Sequence, residues 1–235
     1  MRRNAAIVLQ ARMGSRRLPG KVLALVAGRP MLEHCIERLR AASGLPVVLA
    51  TTTREEDDRV AKEGKRLGVE VVRGPDEDVL ARFVLAASSL SLTEVIRATA
   101  DNPAVDMDAP RRVLELRRCT RADRVVECGL PQGTAVEAIS VESLARCAEL
   151  ATDPYDREHV TTLLRRDPRF RAIPAMAPAA LFRPSLRLTV DTRDDLEWIR
   201  QVFDRAGRGN RSGVPIPLTA LIAAADELQP SIYSR

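Results

Sequence analysis

The chain is poor in aromatic residues and in cysteine. Aromatic side chains make up 3% of its 235 residues, so the stacking surfaces that bind single-stranded nucleic acids are scarce. Its four cysteines include no Cys-x-x-Cys pair, which is typical of a reduced compartment and of buried thiols. The net charge of +5 is modest for this length. These features favour a small anionic partner over a nucleic acid.

Long apolar segments are also missing. No apolar run approaches the roughly 20 residues that a membrane-spanning helix needs. The first residues, Met1 to Asn4, lead directly into a segment too short for the apolar core of a signal peptide. We therefore expect a cytoplasmic protein with no membrane partner. The length and an apolar fraction of 45% predict a single domain, residues 1–235, with a substantial core.

Strands and helices alternate along the first half, and less regularly along the second. The predicted strands cover residues 5–10, 46–50, 69–72, 93–98, 124–126, 135–140, 169–173 and 186–190. The predicted helices cover residues 30–42, 55–67, 76–90, 141–150, 156–166, 194–206 and 218–228. Alternation at this spacing is typical of βαβ units and predicts an α/β fold with a mainly parallel sheet. Residues 128–185 are interpreted as a subregion that contacts a small-molecule substrate, below called the acceptor, or a second copy of the chain.

A basic loop follows the first predicted strand. Residues 10–21 contain Gly14 and Gly20 together with Arg12, two further arginines and Lys21. Glycine lets the backbone approach a ligand closely, and concentrated positive charge suits phosphate. The spacing matches neither the Walker A motif nor Gly-x-Gly-x-x-Gly. A phosphate-binding loop at the carboxyl end of the first strand is predicted, and a basic surface loop is the alternative.

Two aspartates follow later predicted strands. Asp101 comes after the strand 93–98, and Asp191 comes after the strand 186–190. Magnesium usually takes one or two carboxylates together with phosphate oxygens and waters, so this pair predicts a metal site. Each aspartate also has a structural interpretation, because Asp101 begins an Asp-Asn-Pro turn and either Asp191 or Thr192 could cap the next helix.

Further polar residues have two interpretations each. Asp78 and Arg82 are four positions apart, so they either pair on a helix surface or lie at the rim of a nucleotide site. His159 either contacts an acceptor or makes a structural hydrogen bond. The arginines that could serve an anionic acceptor, or could simply be solvated, are Arg157, Arg183 and Arg187.

Eight stretches, taken in order, resemble one family. They are QARMGSRRLPGK (10–21), PMLEHCIERL (30–39), ATTTREEDD (50–58), RGPDEDVLAR (73–82), RATADNP (97–103), PQGTAVE (131–137), REHVT (157–161) and RLTVDTRDDLE (187–197). The ordered set resembles the cytidylyltransferases that include the CMP-Kdo and acylneuraminate synthetases, and within them the branch of spore coat polysaccharide biosynthesis protein F. The resemblance covers nearly the whole chain.

The resemblance implies a Rossmann-like nucleotidyltransferase fold of the GT-A type, a three-layer sandwich with a small dimerisation or acceptor subdomain. It implies CTP as the nucleotide, Mg²⁺ as the ion and a homodimer. The nucleotide-binding residues it implies are Leu9, Ala11, Arg12, Gly14, Lys21, Thr51, Asp78 and Arg82. The catalytic residues are Arg12, Lys21 and Asp101, the metal ligands are Asp101 and Asp191, and the acceptor residues are Glu137, Arg157 and His159.

The sequence departs from the family pattern in two places. The branch usually has Pro-Asp-Gly where this chain has Pro131-Gln132-Gly133, and residues 50–53 lack the acidic pair of the Kdo enzymes. The resemblance therefore predicts transfer of CMP from CTP to a small anionic acceptor, such as a sugar acid or a phosphonate, in polysaccharide biosynthesis, without naming the acceptor. The alternatives are a GT-A-type glycosyltransferase that uses a nucleotide sugar and a non-catalytic nucleotide-binding protein.

Overall fold

The computed structural model describes residues 4–208 and 214–228. The strands are β1 (Ala5–Gln10), β2 (Leu25–Val26), β3 (Arg29–Pro30), β4 (Val47–Thr52), β5 (Glu70–Gly74), β6 (Glu94–Thr99), β7 (Arg124–Cys128), β8 (Glu137–Ser140) and β9 (Ala172–Met176). The α-helices are α1 (Met31–Ser43), α2 (Asp58–Arg66), α3 (Val79–Ser89), α4 (Ala109–Thr120), α5 (Val141–Leu150), α6 (Pro154–His159), α7 (Thr162–Arg166), α8 (Arg193–Gly207) and α9 (Leu218–Leu228).

Seven strands form one mixed sheet in the order β5-β4-β1-β6-β8-β7-β9. The pairs β5–β4, β4–β1 and β1–β6 are parallel. Strand β8 runs antiparallel to both of its neighbours, β6 and β7, and β9 is parallel to β7. The predicted α/β fold with a mainly parallel sheet is therefore confirmed. The carboxyl ends of β1, β4 and β6 meet at one edge of this sheet, the usual position of a ligand site in such folds.

Helices cover both faces of the sheet. In β1, Ile7 and Leu9 pack in one buried cluster with residues of α1, α2 and α4. Their neighbours Ala6 and Val8 pack on the other face with residues of α3, α5 and α7. Burial on both faces explains why the first strand is a continuous apolar run and not an alternating one. The result is the predicted three-layer arrangement.

A third buried cluster lies beside the sheet. Helices α8 and α9 pack together over Leu188 and Val190 and over the β2–β3 hairpin. This cluster fixes the chain just before Asp191. Within the described part of the chain, no helix is both long and apolar enough to cross a membrane.

Several sequence predictions differ from the structure. The single helix predicted over residues 156–166 is divided into α6 and α7 at Val160 and Thr161. Residues 186–190 are not a strand of the sheet, because their backbone bonds go to loops: Gln132 N–H donates to Leu186 O at 2.8 Å, and Val190 N–H donates to Asp101 O at 2.9 Å. Helix α4 was not predicted. Its four arginines between Ala109 and Thr120 interrupt the apolar periodicity, and only part of one face is buried.

Residues 128–185 lie in the same sheet as the first half of the chain. They contribute β8 and β9, and the connection between these strands forms α5, α6 and α7. The segment 174–184 contains the end of β9 and a short 3₁₀ helix, Ala179–Leu181. The interpretation of 128–185 as a region that contacts the acceptor or a second copy stays a prediction.

Candidate active site

A cavity of about 520 Å³ opens at the carboxyl ends of β1 and β6. Its size falls in the range of small-molecule sites. The basic loop lines one side, the segment after β6 lines the floor, and the end of α6 lines the rim. Six cationic side chains line the cavity: Arg12, Arg16, Arg17, Lys21, Arg82 and Arg97. Three carboxylates accompany them, those of Asp101, Glu158 and Asp191. The site therefore suits a ligand with concentrated negative charge.

The loop after β1 is anchored by backbone contacts. Met13 N–H donates to Oδ1 of the buried Asp57 at 2.6 Å, and Gly20 N–H donates to Met13 O at 2.9 Å. Gly20 has a φ of 73°, in the left-handed region that glycine adopts without strain. These bonds close residues 13–20 into a turn. Lys21 follows this turn as the first residue of a 3₁₀ helix and lines the cavity.

Lys21 lies between the two predicted metal ligands. Its Nζ atom is 3.0 Å from Oδ2 of Asp101 and 3.1 Å from Oδ1 of Asp191. It also donates to Val190 O at 2.8 Å. Only 10% of the Lys21 side chain is exposed, so this ammonium neutralises two carboxylates in a partly dehydrated place. The structure thus brings together three residues that the sequence separates widely.

Two arginines and the capped start of α8 hold Asp191. Arg17 Nη2 lies 2.9 Å from its Oδ1. Arg187 Nη2 donates to its Oδ2 at 2.8 Å, and Arg187 Nε donates to Asp195 at 2.7 Å. Thr192 is the N-cap of α8 and forms a capping box with Asp195, so Asp191 is not the cap. Burial alone would raise the pKa of Asp191, but the hydrogen bonds from Arg187 and Lys21 outweigh burial and lower it.

Arg12 connects the loop to two other parts of the site. Its Nη1 lies 3.1 Å from Asp76, and its Nη2 lies 3.0 Å from Glu158 at the end of α6. Arg12 is therefore engaged by carboxylates in this structure. A phosphate that binds here would compete with Asp76 and Glu158 for the same guanidinium.

The junction between α6 and α7 is strained. Val160 has a φ of 59° and a ψ of −54°, and Thr161 N–H donates to His159 O at 2.6 Å. This is a γ-turn with a positive φ at a β-branched residue, an unfavourable backbone state. The turn places His159 in the cavity lining, where its ring centroid lies 4.2 Å from that of Tyr155.

The structure divides the residues that the sequence predicted for the site. Those that line the cavity are Ala11, Arg12, Lys21, Arg82, Asp101, His159 and Asp191. Those that lie outside its lining are Leu9, Gly14, Thr51, Asp78, Glu137 and Arg157. Their assigned roles in binding stay predictions.

Several residues outside the lining have identified structural contacts. Asp78 caps α3 by accepting from Ala81 N–H at 2.8 Å, and Arg157 Nε donates to it at 2.6 Å. The pair expected on a helix surface between Asp78 and Arg82 is not formed. Arg82 instead donates to backbone carbonyls, including Asp76 O at 2.8 Å. Thr51 is fully buried, and its Oγ1 has no hydrogen-bond partner among the described residues.

Some cavity residues were not singled out from the sequence. Arg97 lies within β6, and Gln132, Gly133 and Thr189 lie where residues 131–134 meet residues 186–190. An arginine directly after the apolar pair Val95 and Ile96 of a predicted strand was the available signal for Arg97. The meeting of the other two segments depends on tertiary contacts that no local pattern indicates.

The donor set fits a magnesium-type ion. Among the described residues, no group of three or more His, Cys, Asp or Glu side chains is placed to hold a metal. Asp101 and Asp191 nevertheless converge on one cation, the Lys21 ammonium. Two carboxylates are what Mg²⁺ commonly takes from a protein when phosphate oxygens and waters complete its shell.

The chain is similar to proteins of one known family. A family model described as cytidylyltransferase matches residues 5–207. The chain belongs to the cytidylyltransferase family. Spore coat polysaccharide biosynthesis protein SpsF of Bacillus subtilis is 31% identical over 207 residues, which are 85% of this chain and 86% of that protein. The enzyme is thus similar over most of its length to a protein named for polysaccharide biosynthesis.

Solved structures agree on the fold. A cytidylyltransferase from Leptospira borgpetersenii has a TM-score of 0.87 and 25% identity, with 98% of this chain and 99% of that one covered. A CMP-Kdo synthetase solved in complex with CTP has a TM-score of 0.68 and 20% identity over 86% of this chain and 98% of that one. The expected nucleotidyltransferase fold is confirmed.

Proposed function

We propose that this cytidylyltransferase transfers CMP from CTP to a small anionic acceptor and releases pyrophosphate. One observation carries the proposal: the Lys21 ammonium lies within 3.1 Å of both Asp101 and Asp191 at the end of an arginine-rich loop. This arrangement concentrates charge of both signs in one cavity, which suits a triphosphate with its divalent ion.

The loop and the two aspartates would divide the nucleotide between them. Arg12, Arg16 and Arg17 line the cavity together with Lys21 and would contact the phosphate oxygens. Asp101 and Asp191 would hold Mg²⁺, which, when bound, offsets the negative charge on the α-phosphate and on the departing pyrophosphate. As the phosphates arrive, Lys21 would shift part of its hydrogen bonding from the carboxylates to them.

The acceptor oxygen would attack the α-phosphorus in line with the bond to pyrophosphate. In that step the new oxygen–phosphorus bond forms as the bond to the leaving group breaks. Positioning and charge stabilisation supply most of the catalysis in such transfers. A carboxylate or phosphonate oxygen is already ionised at neutral pH and needs no general base. His159 is the cavity residue placed to accept a proton if the attacking group is a sugar hydroxyl.

The glycosyltransferase alternative lacks its metal motif. The two Asp-x-Asp stretches are 76–78 and 106–108, and neither lies in the cavity lining. Asp106 is buried and pairs with Arg112, and Asp78 caps a helix. The aspartates that line the cavity beside Lys21 are instead Asp101 and Asp191, which supports the cytidylyltransferase proposal.

A pyrophosphate-release screen tests the function. The four ribonucleoside triphosphates are combined with a panel of sugar acids and phosphonates, with Mg²⁺ and with Mn²⁺. We expect release with CTP and at least one acid. CTP that binds in calorimetry but is not consumed with any acceptor would instead support the non-catalytic alternative.

A pair of variants tests the metal assignment in the same assay. Asp101→Asn should lower turnover by about 10²–10³-fold, the scale seen when one charge-stabilising contact is lost. Asp194→Asn is the matched control, because Asp194 is an exposed acid in the first turn of α8. Near-normal turnover in Asp101→Asn would show that the metal is held elsewhere. The predicted homodimer is tested separately by sedimentation of the full chain.

A further inference from the structure

Arg97 occupies an unusual place for an arginine. It lies inside β6, directly opposite Val8 of β1 and Glu137 of β8. Only 17% of its side chain is exposed, yet it lines the cavity. A guanidinium keeps its charge wherever it is placed, so a buried arginine needs acceptors for its donors.

A buried triad supplies part of that need. Arg97 Nη1 lies 2.7 Å from Glu137 Oε1, and Arg124 binds the other oxygen of Glu137. Thr161, at the strained junction after α6, also donates to Glu137 at 3.3 Å. The triad has two positive groups and one negative group. The triad therefore has a net charge of +1. Of its three residues, Arg97 is the one that lines the cavity.

The rest of the Arg97 guanidinium has no acceptor among the described residues. Its Nε is buried and lacks a hydrogen-bond partner there, so a ligand in the cavity would not reach it without a shift of the side chain. Nη1 is bound to Glu137, which leaves Nη2 as the donor for a charge-assisted hydrogen bond to an anion.

The other arginines considered for an anionic acceptor are already engaged. Arg157 binds Asp78, Arg187 binds Asp191 and Asp195, and Arg183 lies 3.4 Å from Asp226. Arg82 also lines the cavity with an unpartnered Nε. It shares the carbonyl of Asp76 with Arg12 of the phosphate loop, which places it on the nucleotide side.

We propose that Arg97 is the anion receptor of the acceptor subsite. Its Nη2 group would donate to the acid group of the acceptor, while Glu137 holds the guanidinium in place through Nη1. The inference rests on the proposed function and narrows it: the acceptor carries a carboxylate or phosphonate that Arg97 recognises. The residue therefore determines specificity for acidic over neutral acceptors.

Two substitutions within the triad separate this role from a purely structural one. Arg97→Met leaves the balanced pair of Glu137 and Arg124, so the fold should persist. Arg124→Met deletes the same charge from the same partner, but Arg124 does not line the cavity. Thermal unfolding of both variants checks that any difference in anion binding is not a difference in folding.

The decisive measurement needs no knowledge of the natural acceptor. The ¹⁵Nε–H signal of Arg97, identified by its loss in Arg97→Met, is followed during titration with acetate, methylphosphonate and neutral acetamide. The titrations are run with and without Mg²⁺ and CTP. We expect a saturable shift with both anions, no shift with acetamide, and the same response in Arg124→Met.

Two results would overturn the proposal. One is an Arg97 signal that no anion moves. The other is an Arg97 signal that shifts when CTP alone is added and that acetate no longer shifts once CTP is bound. Arg97 would then belong to the nucleotide site. Calorimetric titration with CTP and pyrophosphate release report the proposed function separately. If both fail while acetate still moves the Arg97 signal, the reaction is wrong and the anion subsite stands.

A kinetic comparison adds to this for any acid that is turned over. Arg97→Met should raise KM for that acid by about 10- to 100-fold, the effect of losing a charge-assisted hydrogen bond. KM for CTP should stay unchanged. For an acceptor whose attacking oxygen is a separate hydroxyl, the neutral methyl ester of the same acid should be equally poor for the wild-type enzyme and for Arg97→Met. With such an acceptor, an ester penalty that persists in full in the variant would contradict the proposal.

Discussion

Lys21 Nζ lies 3.1 Å from Oδ1 of Asp191, although 170 positions separate the two residues in the chain. The same ammonium contacts Asp101, so one lysine joins the basic loop to both acidic ligands of the candidate metal site. In a chain without bound ions, this contact offsets the repulsion between two partly buried carboxylates.

Replacing Lys21 with methionine should damage both catalysis and stability. Turnover should fall by about 10²–10³-fold, because one cation near the developing charge is lost. Without divalent ions the variant should melt at a lower temperature than the wild type, since Asp101 and Asp191 lose their shared cation. Added Mg²⁺ should recover part of that difference, because it restores positive charge between the carboxylates.

Lys62→Met is the control for this substitution, since Lys62 is exposed on α2, away from the cavity. Pyrophosphate release and melting curves with and without Mg²⁺ give the comparison. A Lys21→Met enzyme with wild-type turnover would remove Lys21 from the catalytic group.

Gly133→Ala should disrupt the part of the cavity lining where residues 131–134 meet residues 186–190. Gly133 has a φ of 91°, and an added Cβ would lie 2.7 Å from the backbone nitrogen of Thr189. The left-handed conformation costs about 1–2 kcal/mol for alanine, and the overlap adds about 1–3 kcal/mol. We expect weaker CTP binding as well, because Thr189 precedes Val190, whose N–H donates to Asp101 O.

Gly44→Ala separates the two costs. Gly44 has a φ of 64°, and nothing lies within 4 Å of an added Cβ there, so only the conformational cost applies. Urea denaturation of both variants gives the free energies of unfolding. Equal losses of unfolding free energy in the two variants would mean that the chain around Thr189 accommodates the extra methyl group.

Glu94→Gln should destabilise the fold in a pH-dependent way. Glu94 is 1% exposed and binds Arg117 and Arg118. Burial would raise its pKa, but the hydrogen bonds from Arg118 and Arg117 outweigh burial and lower it. A lowered pKa means that the ionised group adds stability above its unfolded pKa of about 4.3. That stability is lost as the pH falls through the lower, folded pKa.

At neutral pH the substitution should cost about 3 kcal/mol, the lower end for a broken buried pair, because 34% of the Arg118 side chain is exposed. The difference between wild type and variant should shrink as the pH falls below about 4. Glu115→Gln on the exposed face of α4 is the control. Denaturation at a series of pH values measures both, and a difference that stays constant down to pH 2 would contradict the assignment.

His159→Asn should leave the pH dependence of kcat unchanged. When the attacking oxygen is that of a carboxylate or phosphonate, it is already ionised, so no proton needs to leave during attack. His159 would then only contact the ligand. The rate is measured by pyrophosphate release from pH 5 to 9 with the acid found in the screen. Loss of the alkaline plateau in the variant would instead identify His159 as a general base and the attacking group as a hydroxyl.

The pattern of apolar and polar residues predicts the class of fold and the order of most strands and helices. Apolar runs such as residues 5–9 and 47–50 are buried on both faces, a composition that is typical of parallel strands between helices. The basic loop and the two aspartates were also readable, because phosphate and metal chemistry restricts which residue types can serve. Arg12, Lys21, Asp101 and Asp191 all line the cavity as predicted.

Which of these side chains come into contact depends on how distant segments pack together. Residues 186–190 looked like a strand, but their backbone bonds go to Gln132 and Asp101, and packing under α8 and α9 places Asp191. The sequence around Arg97 gave only a weak signal. Strand β8 places Glu137 against its Nη1, and this tertiary contact leaves Nη2 as the donor for a ligand. Local patterns report which residues favour helix, strand or turn. The pairing of a charge with a partner more than a hundred positions away follows from the packing of the whole chain.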